Sequence, residues 1–206
     1  MKSEQRTRPY RQGARAAAAQ ERTERILSAA LELFVETPFD QITLAAVAER
    51  AGVGLQTLIR RVGTKDGLAL MVNEWVGPQI DADRGPPESA DPDRVAETFA
   101  RVYSRWGAVI DRSTRQQDTS PALAAGAEAG RRSHREWVAA AFAEPLARLE
   151  EPVRRRTLAA LVGVCGAELW QVLTRNESLS RDEATAVVAG LIRATLAPTT
   201  SRKRSR

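Results

Sequence analysis

Gln56, Thr57, Arg60 and Arg61 lie within six consecutive residues. Two are cations, and two can both donate and accept hydrogen bonds. On a 3.6-residue helix their positions share one side. Glutamine pairs with adenine edges and arginine with guanine edges or phosphates, so this set suits a helix entering a major groove. The competing reading is a helical hairpin whose polar side merely faces water.

No other set of residues offers covalent or metal chemistry. His134 and Cys165 are the only histidine and cysteine, too few for the common metal sites. No HExxH, CxxC, GxSxG or GxxxxGK[ST] motif occurs. Gly52-Val53-Gly54 follows no strand and is not a dinucleotide fingerprint. The sequence therefore predicts no catalytic residue, no metal and no cofactor, and the chain reads as a non-enzyme. His134 stands in Arg131-Arg132-Ser133-His134-Arg135, which reads as a solvated basic face. Cys165 lies on an apolar stripe and reads as a buried, inert thiol, compatible with a reducing cytoplasm.

The polar set needs a scaffold, and the flanking sequence supplies one. Ile26, Leu27, Ala30, Leu31, Leu33 and Phe34 make an apolar stripe on a helix predicted from Arg15 to Glu36, which Ala16–Ala19 can extend backwards. Thr37-Pro38 ends it. Thr43 is placed to cap a short helix from Leu44 to Arg50, Gly52 breaks the chain, and a second short helix covers Leu55 to Val62. Ala48 is small enough for two helices to cross there, with Val47, Ala51, Val53 and Leu58 locking the pair. Thr64-Lys65-Asp66 opens a further helix through Leu68, Leu70, Met71 and Trp75.

Residues 77–92, rich in Pro, Gly and Asp, read as the connection between two halves. Helices are expected at 93–111, 122–149, 152–175 and 181–196, with Pro145 kinking or splitting the second. With no strand pair and no internal repeat, the fold class is all-α. The predicted organisation is a basic, disordered arm over 1–20, a helix-turn-helix domain over 21–76, a helical domain over 77–200 and a basic tail over 201–206.

The 206-residue chain has a net charge of +5. Residues 1–20 hold Lys2, Arg6, Arg8, Arg11 and Arg15 against Glu4, and the tail holds Arg202, Lys203, Arg204 and Arg206. These ends carry +4 each, so residues 21–200 sit at −3. Basic ends either track phosphates or simply solubilise, so a nucleic-acid reading rests on the local pattern around residue 56. No apolar run approaches the ~18–20 residues of a membrane span, and no apolar stretch follows the basic N-terminus as in a secretory signal. The expected location is the cytoplasm, with no membrane partner.

From Arg25 to Met71 the chain resembles the DNA-binding domain of the TetR family of repressors. The resemblance rests on Ile26-Leu27-x-Ala29-Ala30-Leu31-x-Leu33-Phe34, Thr43, Val47-Ala48-Glu49-Arg50-Ala51-Gly52-Val53, Thr57-Leu58-x-Arg60 and Lys65-Asp66-x-Leu68. It implies a dimeric regulator that binds double-stranded DNA at a near-palindromic operator. It also implies that Thr43 and Lys65 anchor phosphates while Gln56, Thr57, Arg60 and Arg61 lie at the groove. Gly54, Ile59 and Val62 depart from the pattern, standing where Ser, Tyr and Phe are usual, and Arg61 stands where His is frequent.

The family resemblance implies an effector-binding and dimerisation domain in the remainder. Periodicity gives one stripe on 152–175 (Leu158, Leu161, Val162, Cys165, Leu169, Val172, Leu173) and one on 181–196 (Val187, Val188, Leu191, Ile192, Leu196). Each helix has a second face of small residues: Ala159, Gly163 and Ala167 on one, Ala186, Gly190 and Ala194 on the other. Two-faced helices predict a four-helix interface between two copies, against the plainer reading of alanine bias. Trp106, Ile110, Trp137, Phe142 and Trp170 are available either to pack the core or to line a pocket for a small apolar or aromatic effector. The function predicted is a sequence-specific, ligand-relieved repressor. The alternative is a helical interaction module or a generic DNA binder.

Overall fold

The computed structural model describes residues 7–88 and 90–197, and among them there is no strand. The first six residues of the basic arm and the whole tail over 201–206 lie outside the described residues. The helices fall into two units, one comprising the described residues up to Gly77 with Arg112–Gly126, the other Pro78–Asp111 with the described residues from Ala127 onward. The return of Arg112–Gly126 to the first unit differs from the linear division expected at 76/77.

In the first unit, α1 (Thr7–Glu36) starts well before Arg15. Residues 7–20, expected as a disordered arm, are helical from Thr7, in keeping with the low helix cost of alanine, arginine and glutamine. Ile26, Leu27, Ala29, Ala30 and Phe34 are its buried face. Thr37 N–H closes the last turn on Leu33 O at 2.8 Å, after which Pro38 stops the helix. A 3₁₀ turn, Phe39–Gln41, sets the Phe39 ring edge-on to Phe34 at 6.5 Å.

The two short helices, α2 (Leu44–Arg50) and α3 (Leu55–Val62), match the sequence expectation at both ends. Helix α4 (Lys65–Arg84) begins where expected, capped by Thr64 Oγ1, which accepts from Gly67 N–H at 3.0 Å. It then runs through Gly77 and Pro78 rather than ending before them. Pro78 is exposed and so is Glu74, whose carbonyl loses its helical donor, so water can take the orphaned group. Gly85, at φ +69°, ends the helix.

The residues returning to this unit are tied in by side chains. Gln116 Oε1 accepts from Phe39 N–H at 2.7 Å, and Asn73 Nδ2 donates to Ala122 O at 2.9 Å. Ser120 Oγ donates to Asp66 Oδ1 at 2.6 Å. Ala122 and Leu123 join the apolar core around Val47, Ala48, Leu58 and Leu68.

The second unit is built on α5 (Pro92–Arg115), which buries Val95, Phe99, Val102, Tyr103 and Trp106 along one side. Helix α6 (Pro121–Ala141) stops at Phe142, and α7 (Ala143–Ala147) follows. Pro145 causes this break without marking it, because its ring excludes the carbonyl four residues back at Ala141 and is tolerated in a new first turn. The predicted helix 152–175 is three pieces: α8 (Val153–Val164), α9 (Ala167–Gln171) and a π turn, Val172–Asn176. The break is at Cys165-Gly166, where Gly166 is extended. Residues 153–176 reach a mean hydropathy of 1.4 over 18 residues, enough by length and composition to span a bilayer, which the sequence reading missed. The break divides that segment, and Leu161, Cys165, Trp170 and Leu173 are buried. Helix α10 (Arg181–Leu196) has a complete capping box from Ser180 and Glu183 and packs on α8.

Candidate nucleic-acid interface

The α2–α3 corner is fixed by backbone geometry. Thr43 Oγ1 accepts from Ala46 N–H at 3.1 Å, capping α2 as expected. At the other end Val53 N–H reaches Ala48 O at 2.9 Å and Gly52 N–H reaches Glu49 O at 3.1 Å. This is a Schellman pair closed by Gly52 at φ +64°, a conformation that costs other residues more. Arg50 forks onto Glu36, Nη1 to Oε1 at 3.1 Å and Nη2 to Oε2 at 2.9 Å, and so ties α2 to α1. The pair holds the Glu36 carboxyl below its ordinary range.

Helix α3 divides by face. Leu58 is wholly buried and Val62 nearly so, whereas Gln56, Arg60 and Arg61 are exposed and Thr57 is half-buried. Arg60 and Arg61 have no acidic partner among the described residues, in contrast with Arg50. Leu55 and Ile59 are also exposed, on one flank of the polar stripe. Gly54 caps α3 with no side-chain hydrogen bond, as its departure from Ser implies.

Lys65 is more committed than the sequence suggested. Its Nζ donates to Phe39 O at 2.9 Å and Asp40 O at 3.2 Å and lies 4.7 Å from the centre of the Phe39 ring. One of its three N–H groups remains for a phosphate. Gly67, which spacing alone did not single out, lets α3 and α4 meet: a Cβ there would fall 2.2 Å from Val62 O.

Residues 26–72 match the family described as bacterial regulatory proteins, tetR family. This helix-turn-helix segment belongs to the tetR family. No curated protein sequence matches the chain. In fold, the chain is similar to a transcriptional regulator from Rhodococcus sp. Rha1, with TM-score 0.69, 18% identity, and 84% of this chain and 95% of that one covered. It is also similar to a candidate TetR-family regulator from Mesorhizobium loti MAFF303099, with TM-score 0.66, 16% identity and 85% and 95% covered. A third, a candidate TetR-family regulator from Syntrophomonas wolfei str. Goettingen, has TM-score 0.66, 13% identity and 89% and 99% covered. The all-helical architecture, with a tetR-family segment first and a helical domain after it, is thus shared with solved regulators.

In the second unit the predicted pocket residues do not form one group. Trp137 and Trp170 belong to a ring cluster in which Phe99 lies 5.6 Å from Tyr103, 5.2 Å from His134 and 5.1 Å from Trp137, and Tyr103 lies 6.3 Å from Trp170. Trp106 is buried separately, its Nε1–H donating to Asp83 Oδ2 at 2.6 Å beneath Arg105. Ile110 is half-buried one turn further along α5.

His134, read from sequence as solvated, is turned inward while Arg131, Arg132 and Arg135 stay exposed. The inward direction belongs to the same helical side as Trp137 and Val138. His134 Nε2 lies 3.0 Å from Val162 O, and burial lowers its pKa. Cys165 is buried and its thiol is pushed up to about 12 by burial, which makes it inert at neutral pH.

The small-residue faces divide as well. Ala159, Gly163, Ala186, Gly190 and Ala194 are exposed, together with Val187 and Leu191. Ala167 is not: the break at Cys165-Gly166 rotates α9 out of register with α8, and Ala167 packs into its own unit.

Proposed function

We propose that the chain is a homodimeric repressor that reads a near-palindromic operator and is released by a small apolar or aromatic effector. The observation that carries this reading is the acid-free stripe of exposed Gln56, Arg60 and Arg61 with half-buried Thr57 on a helix whose other side is sealed. A helix so built presents base-reading and phosphate-binding groups to a major groove. Thr43 and the remaining N–H of Lys65 supply phosphate contacts at two helix starts. The protein acts without catalysis, metal or cofactor, in the cytoplasm and on the nucleoid.

The exposed apolar strip of Ala159, Gly163, Ala186, Gly190 and Ala194 on α8 and α10 is the surface that pairs two copies. Pairing sets two α3 helices at the spacing of successive major grooves. The effector acts from the second unit by favouring a dimer whose α3 helices no longer match that spacing.

The test is selection of bound sequences from random duplex DNA by the full chain, at several salt concentrations, alongside Arg60→Ala. A palindromic consensus is expected, with affinity falling as salt rises and Arg60→Ala costing about 1–3 kcal/mol. Salt-sensitive binding with no consensus and no effect of Arg60→Ala would replace this reading with generic binding through the basic ends. No binding to any duplex would leave a helical interaction module.

A further inference from the structure

The second unit buries one arginine in an unusual way. Arg84, the last residue of α4, is 7% exposed. Its Nη1 donates to Ser133 O at 3.1 Å and its Nη2 to Asp81 Oδ1 at 2.8 Å. Its Nε is buried without a hydrogen-bond partner among the described residues. Nε and Nη2 form one edge of the guanidinium fork, the edge that takes a carboxylate through two parallel hydrogen bonds. Asp81 occupies only half of that edge. The Asp81 side chain is itself 57% exposed and shares Oδ1 with Ser133 Oγ at 2.8 Å, so it is a solvated and divided counter-ion.

Beside the polar group of Arg84, Asp81 and Ser133 lies a ring cluster. Trp137 Nε1–H donates to the carbonyl of Gly85, the next residue in the chain, at 2.7 Å. The charge of Arg84 acts on both Tyr103 and His134. Phe99 touches Tyr103, His134 and Trp137, and Tyr103 leads to Trp170. Trp170 sits between two irregular pieces of backbone, the break at Cys165-Gly166 and the π turn over Val172–Asn176. Such irregularities recur at functional sites.

We infer that the effector is an aromatic carboxylate, held by its carboxylate on the Nε/Nη2 edge of Arg84 and by its ring against Phe99, Tyr103, Trp137 and Trp170. A neutral aromatic compound satisfies the rings but leaves the arginine edge half-used. A small inorganic anion satisfies the edge but makes no use of the neighbouring rings. A carboxylate displaces a solvated Asp81 and supplies the acceptor that Nε lacks. This inference rests on the proposal that an effector binds the second unit.

The experiment uses the full chain and matched acid–amide pairs: benzoate with benzamide, phenylacetate with phenylacetamide, and indole-3-acetate with indole-3-acetamide. Binding is read by melting temperature and tryptophan fluorescence, and release is read on the selected operator. At least one acid is expected to bind tenfold or more tightly than its amide. Arg84→Gln should abolish that preference while amide binding stays. The wild-type comparison alone decides the matter if Arg84→Gln does not fold. Amides binding as well as their acids, or an acid preference surviving in a folded Arg84→Gln, would overturn the inference and leave the effector reading intact. Binding by neither series also overturns it, and a wider screen of neutral compounds for operator release then judges the effector reading separately.

Discussion

The two units treat charge in opposite ways. In the N-terminal unit the core is apolar and continuous, with Thr23 and Ser120 its buried polar residues, and the arginines that matter stand outside it: Arg60 and Arg61 face solvent with no acidic partner among the described residues. In the C-terminal unit a guanidinium, an imidazole and a phenol lie within the core, bonded to backbone carbonyls at Ser133, Val162 and Cys165. Several of its surface arginines are paired, as Arg105 is with Asp83, Arg181 with Glu97 and Arg193 with Asp93. A dry core resists deformation, whereas a core with polar groups holds acceptors and donors that a ligand can exchange. The first arrangement suits presentation of a fixed surface, the second a response to a small molecule.

The largest expected effects test whether both cores are equally well packed. Leu58 and Phe142 are fully buried, one in each unit. Leu58→Ala should cost about 2–5 kcal/mol and Phe142→Ala about 3–5 kcal/mol, read by chemical denaturation. A loss under 1 kcal/mol at Phe142 would mean the C-terminal core collapses around the gap, and would put plasticity rather than polarity at the root of the contrast.

This contrast also explains which features the sequence could reveal. Helices α2 and α3 agree with expectation at both ends because their punctuation is local: Thr43 bonds three residues ahead, and Gly52 closes its own corner. The polar face of α3 follows from a 3.6 period and needs no tertiary knowledge. Where expectation and structure part, a distant partner decides. Lys65 is claimed by carbonyls 25 and 26 residues away. Pro78 is tolerated because its side of α4 is exposed, and Ala167 turns inward because Gly166 resets the register. Arg84 and His134 are residue types that composition assigns to the surface. Only the neighbouring helices make them interior, and no spacing rule on one helix can show that.

A smaller effect isolates the polar network. Tyr103 Oη donates to Cys165 O at 2.6 Å inside the core. Tyr103→Phe keeps the ring and strands the carbonyl, so a loss of about 1–3 kcal/mol is expected in denaturant unfolding, with DNA affinity measured at low temperature unchanged. A neutral outcome would show that the carbonyl finds another donor.

The smallest expected effect is the pH response of His134, and its sign follows from burial. Desolvation comes first among the causes that lower its folded pKa, and the charge of Arg84 adds to it; the backbone contact with Val162 and the Glu168 carboxylate oppose. The folded state therefore binds the proton less readily than the unfolded chain, whose histidine titrates near ~6.5. By linkage, stability is full above that value, falls as pH drops through it, and levels off below the folded pKa. His134→Gln should flatten this component in urea melts between pH 7 and 5, with the variant compared against wild type so that carboxylate titrations common to both cancel. If wild type and variant lose stability in parallel over that window, the ring is not buried in its neutral form. The C-terminal core would then be less dry around His134 than its contacts with Phe99 and Val162 imply, and the contrast between the units would rest on Arg84 and Tyr103.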